Sequence, residues 1–167
     1  MNNKAELEYF EKYMKIAIEE AETAYKEDEV PVGAVIVENG NILARAHNRN
    51  RQTSDTTAHA EILALREASK IKGKIRLTES DIFITVEPCP MCAGAIIYGR
   101  IKRVIYGCAD LKAGCDVSVL NILDNPKFNH RTEVVRNIKE EECKKILRDF
   151  FQEKRVKNAG LRYNYAS

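Results

Sequence analysis

Two short segments, thirty residues apart, constrain this chain more than any other feature. They are His59-Ala60-Glu61 and Pro88-Cys89-Pro90-Met91-Cys92, and together they supply one imidazole, two thiols and one carboxylate. One histidine and two cysteines are three of the four ligands of a tetrahedral zinc site, and an open fourth position is typical of a catalytic zinc. We therefore expect a fold that joins the two segments around one Zn²⁺ per subunit, with a bound water or hydroxide as the fourth ligand.

Glu61 distinguishes this interpretation from two alternatives. A lone Cys-x-x-Cys is also found in redox pairs and in structural zinc sites, for which Cys108, Cys115 or Cys143 could supply a fourth ligand. A redox pair needs no His-x-Glu partner, and a structural zinc site has no use for the carboxylate. Beside a metal-bound water, Glu61 can act as a proton carrier, so the pattern predicts a catalytic zinc and three free cysteines.

The hydrophobic pattern predicts an α/β protein in which helices and strands alternate. Two β-rich runs flank an Asn39-Gly40 turn, which is typical of a hairpin. Apolar residues at helical spacing predict the first helix, and Asn137 with Glu140 suggests a capping box for the last one. The expected strands cover 30–37, 42–48, 81–86, 103–107 and 133–135, and the expected helices include 4–26, 58–72 and 90–98. The stretch 49–57 is polar and predicted to be a loop.

These elements place both motifs at the starts of helices. His59 and Glu61 fall in the first turn of the helix predicted for 58–72, while Cys89 and Cys92 straddle the start of the helix predicted for 90–98. Pro90 suits the first position of that helix, and the positive end of a helix dipole favours thiolate. Asn48 ends a strand just before the first motif, where it is either a ligand-binding amide or a simple turn residue.

Length and composition predict a single domain covering residues 1–167, with ordinary apolar and charged content and no linker or repeat. No run approaches the ~20 apolar residues of a membrane span. Five cysteines without disulfide-type spacing and without a secretion signal predict a cytoplasmic protein. The last helix ends in a basic stretch that could contact a polyanion or form a solvated face; its cations are Arg148, Lys154, Arg155, Lys157 and Arg162.

With these residues in view, the chain resembles the zinc deaminases of the cytidine-deaminase-like superfamily, whose pattern is H-x-E followed by P-C-x-x-C. Within it, the chain is most similar to the bacterial tRNA-specific adenosine deaminases, which convert the wobble adenosine of an anticodon to inosine. Nearly the whole chain takes part. The matching segments are 30–34, 57–61, 87–95, Asp110-Leu111-Lys112-Ala113-Gly114, Asn129-His130-Arg131 and Asp149-Phe150-Phe151 with Lys154-Arg155.

This resemblance implies a three-layer α/β/α sandwich with a five-stranded mixed sheet. It implies that His59, Cys89 and Cys92 bind zinc, and that Glu61 shuttles protons. Asn48 would hydrogen-bond the flipped base. The pocket would be lined by Val32 and Ala58, and the flanking nucleotides would be contacted by Asp110, Lys112, Phe151 and Arg155. The implied partners are the anticodon loop of a tRNA, by family resemblance an arginine tRNA, and a second copy of the chain in a homodimer, with no membrane.

Two other functions fit parts of the sequence. The zinc motif is shared with free-base and nucleotide deaminases, such as guanine or cytosine deaminase. A zinc-stabilised RNA-binding module would also use the metal ligands, but it leaves Glu61 without a role. The expected function is therefore zinc-dependent hydrolytic deamination of adenosine to inosine at wobble position 34, with free-base or nucleotide deamination as the alternative.

Overall fold

The computed structural model describes residues 3–164, with side chains described for residues 4–157. Arg162 of the basic stretch thus lies outside the described side chains. The strands are β1 (Gly33–Glu38), β2 (Asn41–His47), β3 (Ser80–Val86), β4 (Arg103–Cys108) and β5 (Glu133–Val135). The helices are α1 (Asn3–Lys26), α2 (Asn50–Thr53), α3 (Ala60–Lys72), α4 (Pro90–Tyr98) and α5 (Glu140–Asn164).

The five strands form one mixed sheet in the order β2-β1-β3-β4-β5. β1 is antiparallel to both β2 and β3, whereas β3, β4 and β5 run parallel. The predicted hairpin is confirmed, and Asn39 and Gly40 both have positive φ, at 51° and 76°. Two successive residues with positive φ form the tight turn that matches the twist of a hairpin.

Helices cover both faces of the sheet. Ala34 and Ile36 of β1 pack in one apolar cluster with residues of α3 and α4. Val35 and Val37 pack in a second cluster with α1 and the start of α5. Because successive side chains of a strand point to opposite faces, a continuously apolar strand needs helices on both sides. The structure is the predicted three-layer α/β/α sandwich.

Two local predictions were wrong. The stretch predicted as a loop contains the short helix α2, because the Glu29 carboxylate accepts hydrogen bonds from the backbone N–H groups of Arg51 and Gln52, both at 2.8 Å. The capping box predicted for the last helix does not form. Asn137 has a left-handed φ of 64°, and α5 begins only at Glu140, whose carboxylate pairs with Lys144 at 2.6 Å.

Candidate active site

The two motifs meet where α3 and α4 begin. His59 is the residue before α3 and has an extended backbone, so that helix starts two residues later than predicted. Cys89 occupies the same position before α4, with Pro90 as the first helical residue, as expected. Each of these two residues accepts the first backbone hydrogen bond of its helix, from Leu63 at 3.0 Å and from Ala93 at 2.8 Å. Two helix N-termini therefore converge on one point.

A metal ion can be bound by histidine nitrogens, cysteine sulfurs and carboxylate oxygens. In the described part of the chain, one group brings three such atoms from different residues within 4.8 Å of one another, and it consists of His59, Cys89 and Cys92. The Nδ1 atom of His59 is 3.7 Å from the sulfur of Cys89 and 3.5 Å from that of Cys92. A tetrahedral zinc with ordinary bond lengths separates a nitrogen and a sulfur ligand by about 3.6 Å. The donor set and its spacing therefore fit zinc.

The two thiols are electrostatically coupled. A hydrogen bond from Cys92 lowers the pKa of Cys89 to about 4, with burial opposing this and the His59 imidazole adding to it. The same hydrogen bond, together with burial, raises the pKa of Cys92. The hydrogen bond therefore favours the thiolate at Cys89 and the thiol at Cys92. A metal that bound both sulfurs as thiolates would release the proton of the Cys92 thiol.

Glu61 lies beside this group and is 4% exposed. Its Oε2 atom is the one buried side-chain nitrogen or oxygen, among the described residues, that has no hydrogen-bond partner. Burial raises the pKa of Glu61, and the neighbouring His59 acts in the opposite direction. A buried carboxylate oxygen without a protein partner is suited to receive a proton from a bound molecule.

A cavity of about 650 Å³ opens above this group. Its wall contains most of the residues that the sequence singled out, namely Val32, Asn48, His59, Glu61, Cys89, Asp110, Lys112 and Phe151. Cys92 is fully buried behind the wall. Two further predicted residues do not line the cavity: Ala58 is buried, and Arg155 is exposed on α5, one turn beyond Phe151.

Asn48 is held in one orientation. Its Oδ1 atom accepts the backbone N–H of Ala60 at 2.8 Å, at the start of α3. Because only the oxygen of the side-chain amide can accept a hydrogen bond from a backbone N–H, the Nδ2 group remains free to donate to a molecule bound in the cavity. Asn48 therefore fixes the local chain at the start of α3 and also lines the cavity.

The cavity wall also contains polar residues that sequence reasoning missed, among them Glu29, Asn50, Arg51, Glu87 and Arg148. Glu29, Asn50 and Arg51 have no recognisable spacing relative to the two motifs, whereas Glu87 directly precedes the second motif. Arg148 could have been included from its place in the basic stretch of α5. Within the described residues, Cys108, Cys115 and Cys143 are free and buried, and none joins the group of three donors.

Comparison with known proteins is consistent with this site. Residues 9–155 match the MafB19-like deaminase family. A tRNA-specific adenosine deaminase from Bacillus subtilis (strain 168) is 47% identical over 154 residues, which cover 92% of this chain and 96% of that protein. The tRNA-specific adenosine deaminase of Agrobacterium fabrum (strain C58) is 44% identical over 144 residues, covering 86% and 95%.

A solved structure from biochemical and structural studies of A-to-I editing by tRNA:A34 deaminases has a TM-score of 0.78 and 42% identity, covering 80% of this chain and 97% of that one. Together, the fold and the site define a member of the deaminase class. At this identity and coverage, the chain belongs to the family of tRNA-specific adenosine deaminases.

Proposed function

We propose that this chain catalyses the zinc-dependent hydrolytic deamination of adenosine to inosine at wobble position 34 of a tRNA anticodon. The observation that carries the proposal is the group of His59, Cys89 and Cys92 beside the unpartnered, buried carboxylate of Glu61. The site by itself supports deamination in general, and membership of the family of tRNA-specific adenosine deaminases supports adenosine in tRNA as the substrate. Zinc, when bound by the three ligands, lowers the pKa of a water molecule towards ~7 and so makes hydroxide available near neutral pH.

Glu61 moves the protons of the reaction. Hydrolysis joins the water oxygen to C6 of the adenine ring and breaks the bond between C6 and the exocyclic nitrogen. Of the two water protons, one goes to N1 of the ring and the other leaves with the amine as ammonia. An ionised Glu61, with its free Oε2, can accept each proton in turn and pass it on.

The cavity suits a single flipped purine nucleotide. The apolar side of its wall includes Val32, and the Nδ2 group of Asn48 is a donor for a ring nitrogen of the base. Pulling a base out of its stack costs a few kcal/mol, and a single-stranded loop base is the easiest target. Contacts with the neighbouring nucleotides can repay that cost.

We assign those contacts to Asp110, Lys112, Phe151 and Arg155. The first three line the cavity, and Phe151 is 46% exposed. An exposed aromatic ring at a cavity rim can stack on a base, which is worth ~1–3 kcal/mol. Lys112 and Arg155 are exposed cations that can meet phosphates.

A homodimer is part of the proposal, because the family resemblance places RNA contacts across a subunit boundary. The segment after Asp110 leaves apolar side chains in solvent, which supports an interface there. These are Leu111, Val117, Val119, Leu120 and Phe128. Contiguous exposed apolar surface is typical of protein–protein contact sites.

We further propose an arginine tRNA as the substrate and the cytoplasm as the location, where free thiols persist. None of the helices in the described residues is long and apolar enough to cross a membrane.

One experiment separates this function from free-base deamination. The zinc-loaded protein is incubated with an anticodon stem-loop carrying adenosine at position 34, and in parallel with free adenosine, guanine and cytosine. Inosine formation in the stem-loop should be far faster than any reaction of the small molecules. If guanine or cytosine is the better substrate, the alternative function replaces this one. A stem-loop with the adenosine moved one position away is the matched control.

A further inference from the structure

Glu87 is a buried carboxylate that the proposed chemistry does not use. It follows β3, stands two residues before Cys89 and is 2% exposed. Oε1 accepts three backbone N–H groups and Oε2 accepts one N–H and one hydroxyl. The five donors are the N–H groups of Asp116, Val117 and Ser118 at 2.9, 3.1 and 3.2 Å, the N–H of Asp110 at 3.1 Å, and the Ser118 hydroxyl.

All five donors belong to one loop, residues 109–118, which we call the 109–118 loop. Its first residues, including Asp110 and Lys112, line the cavity. Glu87 joins the start of the loop to its end and thereby holds it closed. The loop wraps closely on the carboxylate, because a Cβ atom added at Gly114 would lie 2.2 Å from Oε2 of Glu87.

The same stretch of backbone connects the loop to the metal ligands. The N–H of Glu87 donates to the carbonyl of Cys108 at 2.8 Å, and the N–H of Cys115 donates to the carbonyl of Pro88 at 3.0 Å. Glu87 and Pro88 directly precede Cys89 in the chain. The position of the 109–118 loop is therefore fixed relative to the cysteine end of the candidate zinc site.

We propose that Glu87 is a positioning residue that holds Asp110 and Lys112 at a fixed place relative to Cys89. The side chains that contact the nucleotides beside the target adenosine are then in position before the RNA binds. This inference rests on the proposed function. An unanchored loop of this length would lose conformational freedom when RNA binds, and that loss would weaken binding. Glu87 lies in the cavity wall, but both of its carboxylate oxygens accept bonds from the loop, so it acts on the substrate through the loop.

Glu87→Gln tests the proposal. The glutamine amide keeps the shape of the carboxylate but has only one oxygen. Its NH2 group cannot accept a hydrogen bond, so the donors that face it lose their acceptor. We expect KM for the stem-loop to rise by roughly tenfold or more, with a smaller change in kcat and an unchanged zinc content. Asp81→Asn is the matched control, because Asp81 is a buried carboxylate at the other end of β3 that accepts bonds from Tyr9 and Arg103. It should lower Tm without raising KM.

A double substitution separates positioning from general stability. If Glu87 acts through Asp110, Glu87→Gln should raise KM much less when Asp110→Ala is already present. Ser118→Ala removes one of the five donors and provides a milder variant, which should shift KM in the same direction if Glu87→Gln folds poorly. Equal KM changes in Glu87→Gln and Asp81→Asn at equal loss of Tm, or full additivity with Asp110→Ala, would overturn the proposal.

Amide hydrogen exchange provides a readout that needs no substrate. In Glu87→Gln, the amides of Asp110, Asp116, Val117 and Ser118 should exchange faster than in the wild type, and in Asp81→Asn they should not. Unchanged exchange would overturn the role of Glu87 whatever the substrate is. A wild-type protein that shows protected loop amides but leaves the stem-loop unreacted would instead overturn the proposed function.

Discussion

Glu61→Gln changes one functional group at the centre of the site. The amide is nearly isosteric with the carboxylate, and the side chain is buried, so the packing should be kept. The Oε2 atom has no hydrogen-bond partner among the described residues, so substitution there breaks no bond to the protein. The three candidate zinc ligands are untouched. We therefore expect a folded protein with full zinc content and almost no turnover.

The expected loss follows from the number of protons that Glu61 carries. A positioned general acid or base contributes about 10²–10⁴ in rate. Glu61 would serve twice, at N1 and at the leaving nitrogen. The other carboxylates in the cavity wall cannot replace it, because Glu29, Glu87 and Asp110 already accept backbone hydrogen bonds. We expect the deamination rate to fall by about 10⁴-fold, which corresponds to about 5 kcal/mol of transition-state stabilisation.

The assay is single-turnover deamination of the stem-loop, with inosine counted by sequencing and zinc measured by elemental analysis. Glu67→Gln is the control, since it makes the same chemical change at an exposed position of the same helix. It should react like the wild type. A fully metallated Glu61→Gln protein that keeps more than about a tenth of the wild-type rate would refute the proton-carrier role. Loss of zinc in this variant would refute the assignment of Glu61 as a proton carrier that does not itself bind zinc.

Four further predictions concern the metal, the pH dependence, the assembly and the RNA contact. Cys92→Ser should lose both zinc and activity, since a buried hydroxyl is a poor substitute for a thiolate; a fully metallated, active variant would disprove the ligand set. Burial raises the pKa of Glu61 above its ordinary value of 4.5, so the stability that this group gives the metal-free protein is present below pH 4.5 and lost as the pH rises through the raised pKa. Thermal unfolding of chelator-treated protein at about pH 5 and at about pH 8 measures this effect. Between these two pH values, the wild type should lose more stability than Glu61→Gln, and equal losses in the two proteins would contradict the raised pKa. Light scattering at micromolar concentration should give a dimer, and a monomer that still deaminates the stem-loop would exclude the shared site. Arg155→Ala should weaken stem-loop binding and reduce the slope of log affinity against log salt by about 0.7, whereas Arg76→Ala, at an exposed position beyond the far end of α3, should change neither.

The sequence determined those features that depend on local patterns. The two β-rich runs predicted the strands β1 and β2, and Asn39-Gly40 predicted the turn between them, because β propensity and positive φ are properties of a few neighbouring residues. The group of His59, Cys89 and Cys92 could be predicted although its members are thirty residues apart, since metal-ligand chemistry restricts both the residue types and their spacing. Glu61 could be singled out from the sequence because a carboxylate at that spacing has no use in a structural zinc site, and the structure places it buried beside the three donors.

The tertiary structure alone decided how carboxylates outside the motifs organise the site. Glu29 anchors α2 through backbone groups 22 and 23 residues away in sequence, and Glu87 holds the 109–118 loop through groups up to 31 residues away. The exclusion of Ala58 and Arg155 from the cavity wall was equally invisible in the sequence. Backbone N–H groups are present at every residue except proline, so a carboxylate that accepts them leaves no periodic signature. Its partners are fixed only when the sheet and the helices bring distant segments together.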